Sequence, residues 1–181
     1  MSYVDLNTIH NPTTGAVIPT AWGDQIRANQ EFLIEPPACS ITTIGEQDTV
    51  VLTATETTIG NGYLTSGNWA ATANFDNDGM WAGGTSNQID INTAGRYMVI
   101  CTVQFDANAV GMRQIKFRVN GTTPYESSLI LSSGSTNSTV LTGIRWMTLA
   151  VSDYIEVRVA QKSGDSVQVS CYEFAVLFQT R

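Results

Sequence analysis

The strongest pattern in the chain runs from Arg96 to Phe105. Tyr97, Val99, Cys101, Val103 and Phe105 alternate with the rest, which puts them on one face of a strand. Met98 and Ile100 carry apolar character onto the other face as well. A strand that is apolar on both faces is covered on both. Thr93-Ala94-Gly95 forms the turn that leads into it, after the short apolar pair Ile89 and Ile91.

Other segments alternate more cleanly. From Met112 to Asn120, Ile115, Phe117 and Val119 are predicted to face inward, and Gln114, Lys116 and Arg118 outward. Asn120-Gly121 then signals a hairpin, because both residues tolerate positive φ. Tyr154 to Ala160 repeats the scheme, with Ile155, Val157 and Val159 inward against Glu156 and Arg158. Val140 to Leu149, which includes Trp146, is apolar on both faces. Val167 to Gln179 reads as a final strand pair or one long bent strand. Upstream, Ser40–Thr42 and Thr49–Thr53 are rich in β-branched residues. Gly60-Asn61-Gly62, the polar stretch Ser132 to Ser138 and Lys162–Asp165 are turns or loops. Eight to ten strands at regular spacing, with no helix after residue 36, predict an all-β sandwich or barrel.

The first 37 residues read differently. Residues 1–19 are polar and broken by Pro12 and Pro19, which predicts an extended arm. A short helix starts at Pro19 or Thr20 and is stopped by Pro36-Pro37. Its apolar stripe is Trp22, Ile26 and Leu33, with Phe32 beside them. So narrow a stripe does not hold a helix alone in water, so it packs on something. Its own head, the same helix of other subunits and a foreign surface are the three options. The division is therefore an attachment arm at 1–37 and a head at 38–181.

Composition narrows the function. Of 181 residues only 14% are charged, and the formal net charge is −7. The nine Lys and Arg residues are scattered, which argues against nucleic-acid binding by phosphate neutralisation. Cys39, Cys101 and Cys171 are too few and too widely spaced for a disulfide framework or a zinc pattern. Cys101 and Cys171 fall at apolar strand positions and read as buried small hydrophobes. The N-terminus lacks the basic and apolar regions of a signal peptide, and no stretch reaches membrane-spanning length.

Catalytic chemistry finds little support. His10 is the only histidine and lies in the arm, away from rigid partners. No nucleophile elbow, zinc-protease motif or phosphate loop occurs. Asp76 and Asp78 have the i, i+2 spacing of calcium ligands but lack the later acidic ones. An Asp-Asn turn more often caps a strand, so no metal and no cofactor is expected. Exposed loops remain as candidates for recognising a glycan or protein: Asn61 to Trp69, Trp81 to Asn87, Ala107 to Gly111 and Ser132 to Ser138.

The order of these motifs carries a resemblance. An aromatic-Asp-Asn turn at Phe75–Asn77, a polar loop, and then Ala94-Gly95-Arg96-Tyr97 opening a hydrophobic strand resemble the C1q/TNF-like jelly-roll head. The likeness continues through Ile115–Gly121, Leu149–Val159 and Phe174–Leu177, and covers roughly residues 45–181. One departure is Ser152-Asp153, where the family usually has Gly-Asp. The resemblance implies an all-β C1q/TNF-like jelly-roll sandwich, with the strand from Arg96 beside the last strand. It also implies a homotrimer, since heads of this family pack three around an axis. Tyr97, Met98, Trp146, Phe174, Val176 and Phe178 would then lie at that axis, the alternative being a monomer with a thick core. The segment Trp22–Asn29 is similar to short leader segments in structural proteins of tailed bacteriophages.

Together these features predict a non-enzymatic virion protein of a tailed phage. Its trimeric knob would be docked to capsid, neck or tail through Trp22, Ile26, Phe32 and Leu33, as decoration or a short fibre. The expected partners are further copies of itself, other virion proteins and a host-surface glycan or protein, without nucleic acid or membrane insertion. The alternative is a cellular or secreted C1q-like module that binds carbohydrate or protein. An enzyme such as a depolymerase would need a carboxylate pair in a groove, and none is assignable.

Overall fold

A computed structural model describes residues 20–42, 49–51, 57–58, 72–83, 88–131 and 137–180. The helix α1 spans Thr20–Ile34 and ends just before Pro36-Pro37. Eleven strands follow among the described residues: β1 (Ala38–Thr42), β2 (Thr49–Val51), β3 (Thr57–Thr58), β4 (Thr72–Asp76), β5 (Gln88–Asp90), β6 (Gly95–Phe105), β7 (Met112–Val119), β8 (Thr123–Leu131), β9 (Thr139–Leu149), β10 (Tyr154–Gln161) and β11 (Val167–Thr180). His10, Gly60–Gly62, Trp69 and the segment 132–136 lie outside the described residues.

The strands form two antiparallel sheets. One has the order β4-β1-β11-β6-β9, with β2 also on β11; the other is β3-β10-β7-β8, with β5 also on β10. The strand from Gly95 and the last strand are thus neighbours, paired from Arg96↔Thr180 to Phe105↔Val169. The C-terminal segment is one long strand rather than a pair. It bends through irregularities at Cys171/Glu173 and Phe178/Thr180.

The core lies between the sheets and follows the alternation. Tyr97, Val99, Cys101, Val103 and Phe105 from β6 meet Ile115 and Phe117 from β7 and Ile155, Val157 and Val159 from β10, all buried in one cluster. Cys101 and Cys171 are buried thiols in the same layer, their sulfurs 3.7 Å apart. Burial drives the Cys101 thiol well above its ordinary range, with Cys171 adding to it. Burial, with Asp76 nearby, pushes Cys39 up to about 12. Arg113 closes one end of the core. Its guanidinium lies 5.9 Å over the Phe105 ring and donates to the carbonyls of Asn108, Val110 and Met112.

Two turns explain sequence motifs. Asn120 and Gly121 both take positive φ, 53° and 68°, in the β7–β8 hairpin, and Thr122 N–H donates to the Val119 carbonyl. Gly95 admits no side chain. A Cβ there would stand 2.3 Å from the Phe178 ring and 2.9 Å from the Thr180 carbonyl oxygen. The glycine of Ala-Gly-Arg-Tyr is therefore a close-approach glycine, needed because the Phe178 ring and the Thr180 carbonyl of the neighbouring strand β11 press against it.

Candidate interaction surfaces

The outer faces of the two sheets differ in chemistry. On the β7–β10 side the register sets Arg118 opposite Glu156 and Lys116 opposite Arg158, and Arg158 donates to Glu156 at 3.2 Å. That face is charged, with Lys116, Arg118 and Arg158 half-buried and Gln114 and Glu156 buried among them. On the other sheet the outward rows are apolar. Leu177, Met98 and Trp146 lie side by side across β11, β6 and β9. Next to them runs the row Phe75, Ser40, Ala175, Ile100 and Ile144, in which Ser40 and Ala175 are buried. Trp146 and Ile144 are each 52% exposed and Phe75 44%. Ile144 and Trp146 on β9, with Met98 and Ile100 beside them on β6, form an apolar patch of the kind that marks interaction sites. Beyond it the face turns polar, with Thr102 bonded to Thr142 and Tyr172 Oη donating to Gln104.

The six residues expected at an axis between copies divide accordingly. Met98 and Trp146 point outward. Tyr97, Phe174, Val176 and Phe178 are buried in the subunit's own core, so they have no surface to give another copy. The two-layer geometry corrects the expectation. Alternate residues of β6 and β11 face the second sheet, which has room for them all. Phe178 sits edge-on to Tyr97 at 5.3 Å, and the Tyr97 hydroxyl donates to the Thr93 carbonyl. Ile100, which the sequence already placed on the second face of its strand, and Ile144 and Leu177, which it did not single out, take their place on the outer face. Their signal was present: strands apolar on both faces yield a set of outward residues by simple parity.

The helix is also placed differently from its expected stripe. Phe32 is buried, its ring edge-on to Phe178 at 5.1 Å, and Asn29 is buried on the same side. Trp22 and Ile26 are half-buried. Leu33, expected in the stripe, is 73% exposed and Ile34 78%. A turn of 100° per residue cannot bring both Phe32 and Leu33 to one surface, and the larger ring takes the inner position.

The Asp-Asn turn is a set of caps. Asp76 accepts from the backbone N–H groups of Met80 at 2.8 Å and Trp81 at 3.0 Å. Asn77 accepts from Ala38 N–H at 2.7 Å and donates to the Pro36 carbonyl at 2.8 Å, pinning the exit of α1 to the start of β4's turn. Asp78 accepts from the Thr93 hydroxyl at 3.2 Å. Asp76 and Asp78 thus spend their oxygens on the turn, and among the described residues no group of three or more His, Cys, Asp or Glu could hold a metal. Of the four loops considered for recognition, Asn61–Trp69 and most of Ser132–Ser138 and Trp81–Asn87 lie outside the described residues. Ala107–Gly111 is tied down by Arg113, with Asn108 Oδ1 accepting from Val110 N–H at 2.9 Å.

A shallow concavity of about 630 Å³ lies between the turn before β6 and the turn after β9, walled by Ala94, Gly95, Leu149, Ala150 and Val151 together with the polar Asn92, Thr93, Thr148 and Asp153. Beside it, the turn after β9 is held by Asp153, which accepts from Ala150 N–H at 2.7 Å and from the Asn120 side chain at 2.8 Å. Ser152 adopts a positive φ of 72° there. A non-glycine residue in that region bears backbone strain.

No protein-family model and no curated protein matches the sequence. Solved structures do match the fold. The globular domain of the zebrafish complement 1qA protein superposes with a TM-score of 0.52 at 13% identity, over 80% of this chain and 99% of that one. Murine APRIL at pH 8.0 gives 0.51 at 11% identity, over 79% and 98%. The chain is therefore an all-β sandwich of two antiparallel sheets with one short helix, in the C1q/TNF-like jelly-roll fold.

Proposed function

We propose that this chain is a non-enzymatic, homotrimeric virion structural protein of a tailed bacteriophage. Its knob associates through the apolar outer face of the β4-β1-β11-β6-β9 sheet, and its N-terminal segment attaches the knob to a larger particle. The observation that carries self-association is the pair of outward apolar rows through Met98–Trp146 and Ile100–Ile144. Covering each large side chain is worth about 1.5–3 kcal/mol, enough in sum to drive association. The phage assignment is supported by the arm and helix that precede the head and by the leader-like segment Trp22–Asn29. The half-buried Trp22 and Ile26, with exposed Leu33, remain the proposed docking residues, while Phe32 anchors the helix to the knob.

A second reading has its own support. Among the solved structures that share the fold are a zebrafish complement 1qA domain and murine APRIL, which is the support for a cellular or secreted C1q-like module as the alternative. Removing residues 1–36 separates the two. The virion reading expects the truncated head to stay trimeric and to be lost from purified particles. The module reading expects the truncated head to bind a glycan or protein as well as the full chain does.

A further inference from the structure

One side chain ties together two turns that are far apart in sequence. Asn120, at the tip of the β7–β8 hairpin, is exposed, yet both ends of its carboxamide are held. Its Nδ2 donates to Asp153 Oδ1 at 2.8 Å, and its Oδ1 accepts from the Tyr154 N–H at 3.0 Å. The Asn120 backbone N–H donates in turn to the Tyr154 carbonyl at 3.0 Å. The other Asp153 oxygen accepts from Ala150 N–H at 2.7 Å, so one carboxylate clamps the hairpin to the turn after β9.

The residue after Asn120 is Gly121, and that order carries chemistry of its own. A glycine has no side chain to keep its backbone nitrogen away from the carboxamide of the preceding residue. When Gly121 N attacks Asn120 Cγ, the N–Cγ bond forms, the Cγ–Nδ2 bond breaks, and the proton leaves with ammonia. Water then opens the five-membered imide at either carbonyl and leaves an aspartate or an isoaspartate. The step consumes water alone and changes no oxidation state. Among the described residues the Gly121 N–H makes no hydrogen bond, so the attacking atom is not tied down. The carboxamide is tied down. We propose that Asn120 is a site of spontaneous deamidation whose rate is set by Asp153, which holds the amide nitrogen in place while the two turns stay joined. Nothing in this chemistry requires a second copy of the chain. Once it has occurred, the reaction undoes its own guard. A carboxylate replaces the donor and faces the Asp153 carboxylate across what was a 2.8 Å hydrogen bond, and like charges so close repel.

The full-length chain is incubated at neutral pH, native and in urea, and the conversion of Asn120 and Asn61 is followed by peptide mass spectrometry. Asn61-Gly62 is a second pair of the same order and serves as an internal clock. Native Asn120 is expected to convert about tenfold or more slowly than Asn120 in urea, because the clamp is a hydrogen bond to a charged acceptor. Asp153→Ala is expected to remove most of that protection and to leave the Asn61 rate unchanged. Asp153→Asn, which keeps one acceptor oxygen, is expected to fall between the two. Native Asn120 that converts as fast as in urea overturns the proposal, and that comparison needs no variant. An Asp153→Ala chain in which Asn120 stays protected, or in which Asn61 accelerates equally, overturns it as well. Finally, Asn120→Asp is expected to lower the denaturation midpoint, and an unchanged midpoint would overturn the opening of the joined turns.

Discussion

The two outer faces of this sandwich are made by the same rule and end with opposite chemistry. On β7 and β10, every second residue is charged or amide; Lys116, Arg118 and Arg158 are half-buried, while Gln114 and Glu156, expected to face water, are buried. On β6 and β9, the corresponding outward positions are Met98, Ile100, Ile144 and Trp146. The inward residues of both sheets are alike. What distinguishes the sheets is therefore not what the fold needs but what lies outside it. One face is charged, and the other leaves large apolar side chains exposed and is the face proposed to meet further copies.

Substitutions inside and outside each sheet can break this contrast. The largest effect is expected inside. Phe174→Ala should cost about 3–5 kcal/mol in chemical denaturation, independent of protein concentration, because it empties a fully buried position. If that loss instead varied with concentration, Phe174 would belong to an interface after all. Outside, Ile144→Glu with Trp146→Arg should leave the subunit folded yet raise the dissociation constant on the order of 30-fold or more, read by sedimentation. On the opposite sheet, Arg158→Gln should leave assembly unchanged, while leaving the buried Glu156 without its cation should cost about 1–3 kcal/mol of stability, independent of protein concentration.

Smaller effects sharpen the picture of the turns and the core. Ser152→Gly should raise stability by about 0.5–1 kcal/mol by removing a positive-φ strain, measurable as a shift in the denaturation midpoint. The Cys39 thiol gives a pH dependence of definite sign. Its folded value, about 12, lies above the ordinary 9.0, so the folded state keeps a proton that the unfolded chain releases. That contribution is complete below about pH 9 and is lost as pH rises toward 12. Cys39→Ala should flatten the alkaline limb of the stability profile relative to the unaltered chain.

Much of this was legible from residue order. Strict alternation placed Ile115, Phe117, Ile155 and Val157 correctly, because period-2 sidedness is local. Asn120-Gly121 marked its hairpin, because few residues tolerate two successive positive φ angles. The β6–β11 pairing came from the family resemblance, since partners 70 residues apart leave no local trace. The choice of axis residues failed for a related reason. Tyr97, Phe174, Val176 and Phe178 are as greasy as Met98 and Trp146, and only knowledge of the second sheet decides which parity it covers. On α1, Phe32 and Leu33 are adjacent and equally apolar, so periodicity alone could not say which would meet Phe178. The turn glycine at 95 was visible as a motif, but its reason, the passage of Phe178 over it, belongs to tertiary structure.

The account's central claim is that the apolar face of the β4-β1-β11-β6-β9 sheet is covered by further copies of this chain. Sedimentation equilibrium of the full-length protein at micromolar concentration tests it most directly. The predicted result is three times the subunit mass of 19.6 kDa, falling to one subunit mass when Trp146→Arg and Ile144→Glu are introduced together. A stable single subunit, or a trimer indifferent to those two substitutions, would contradict it.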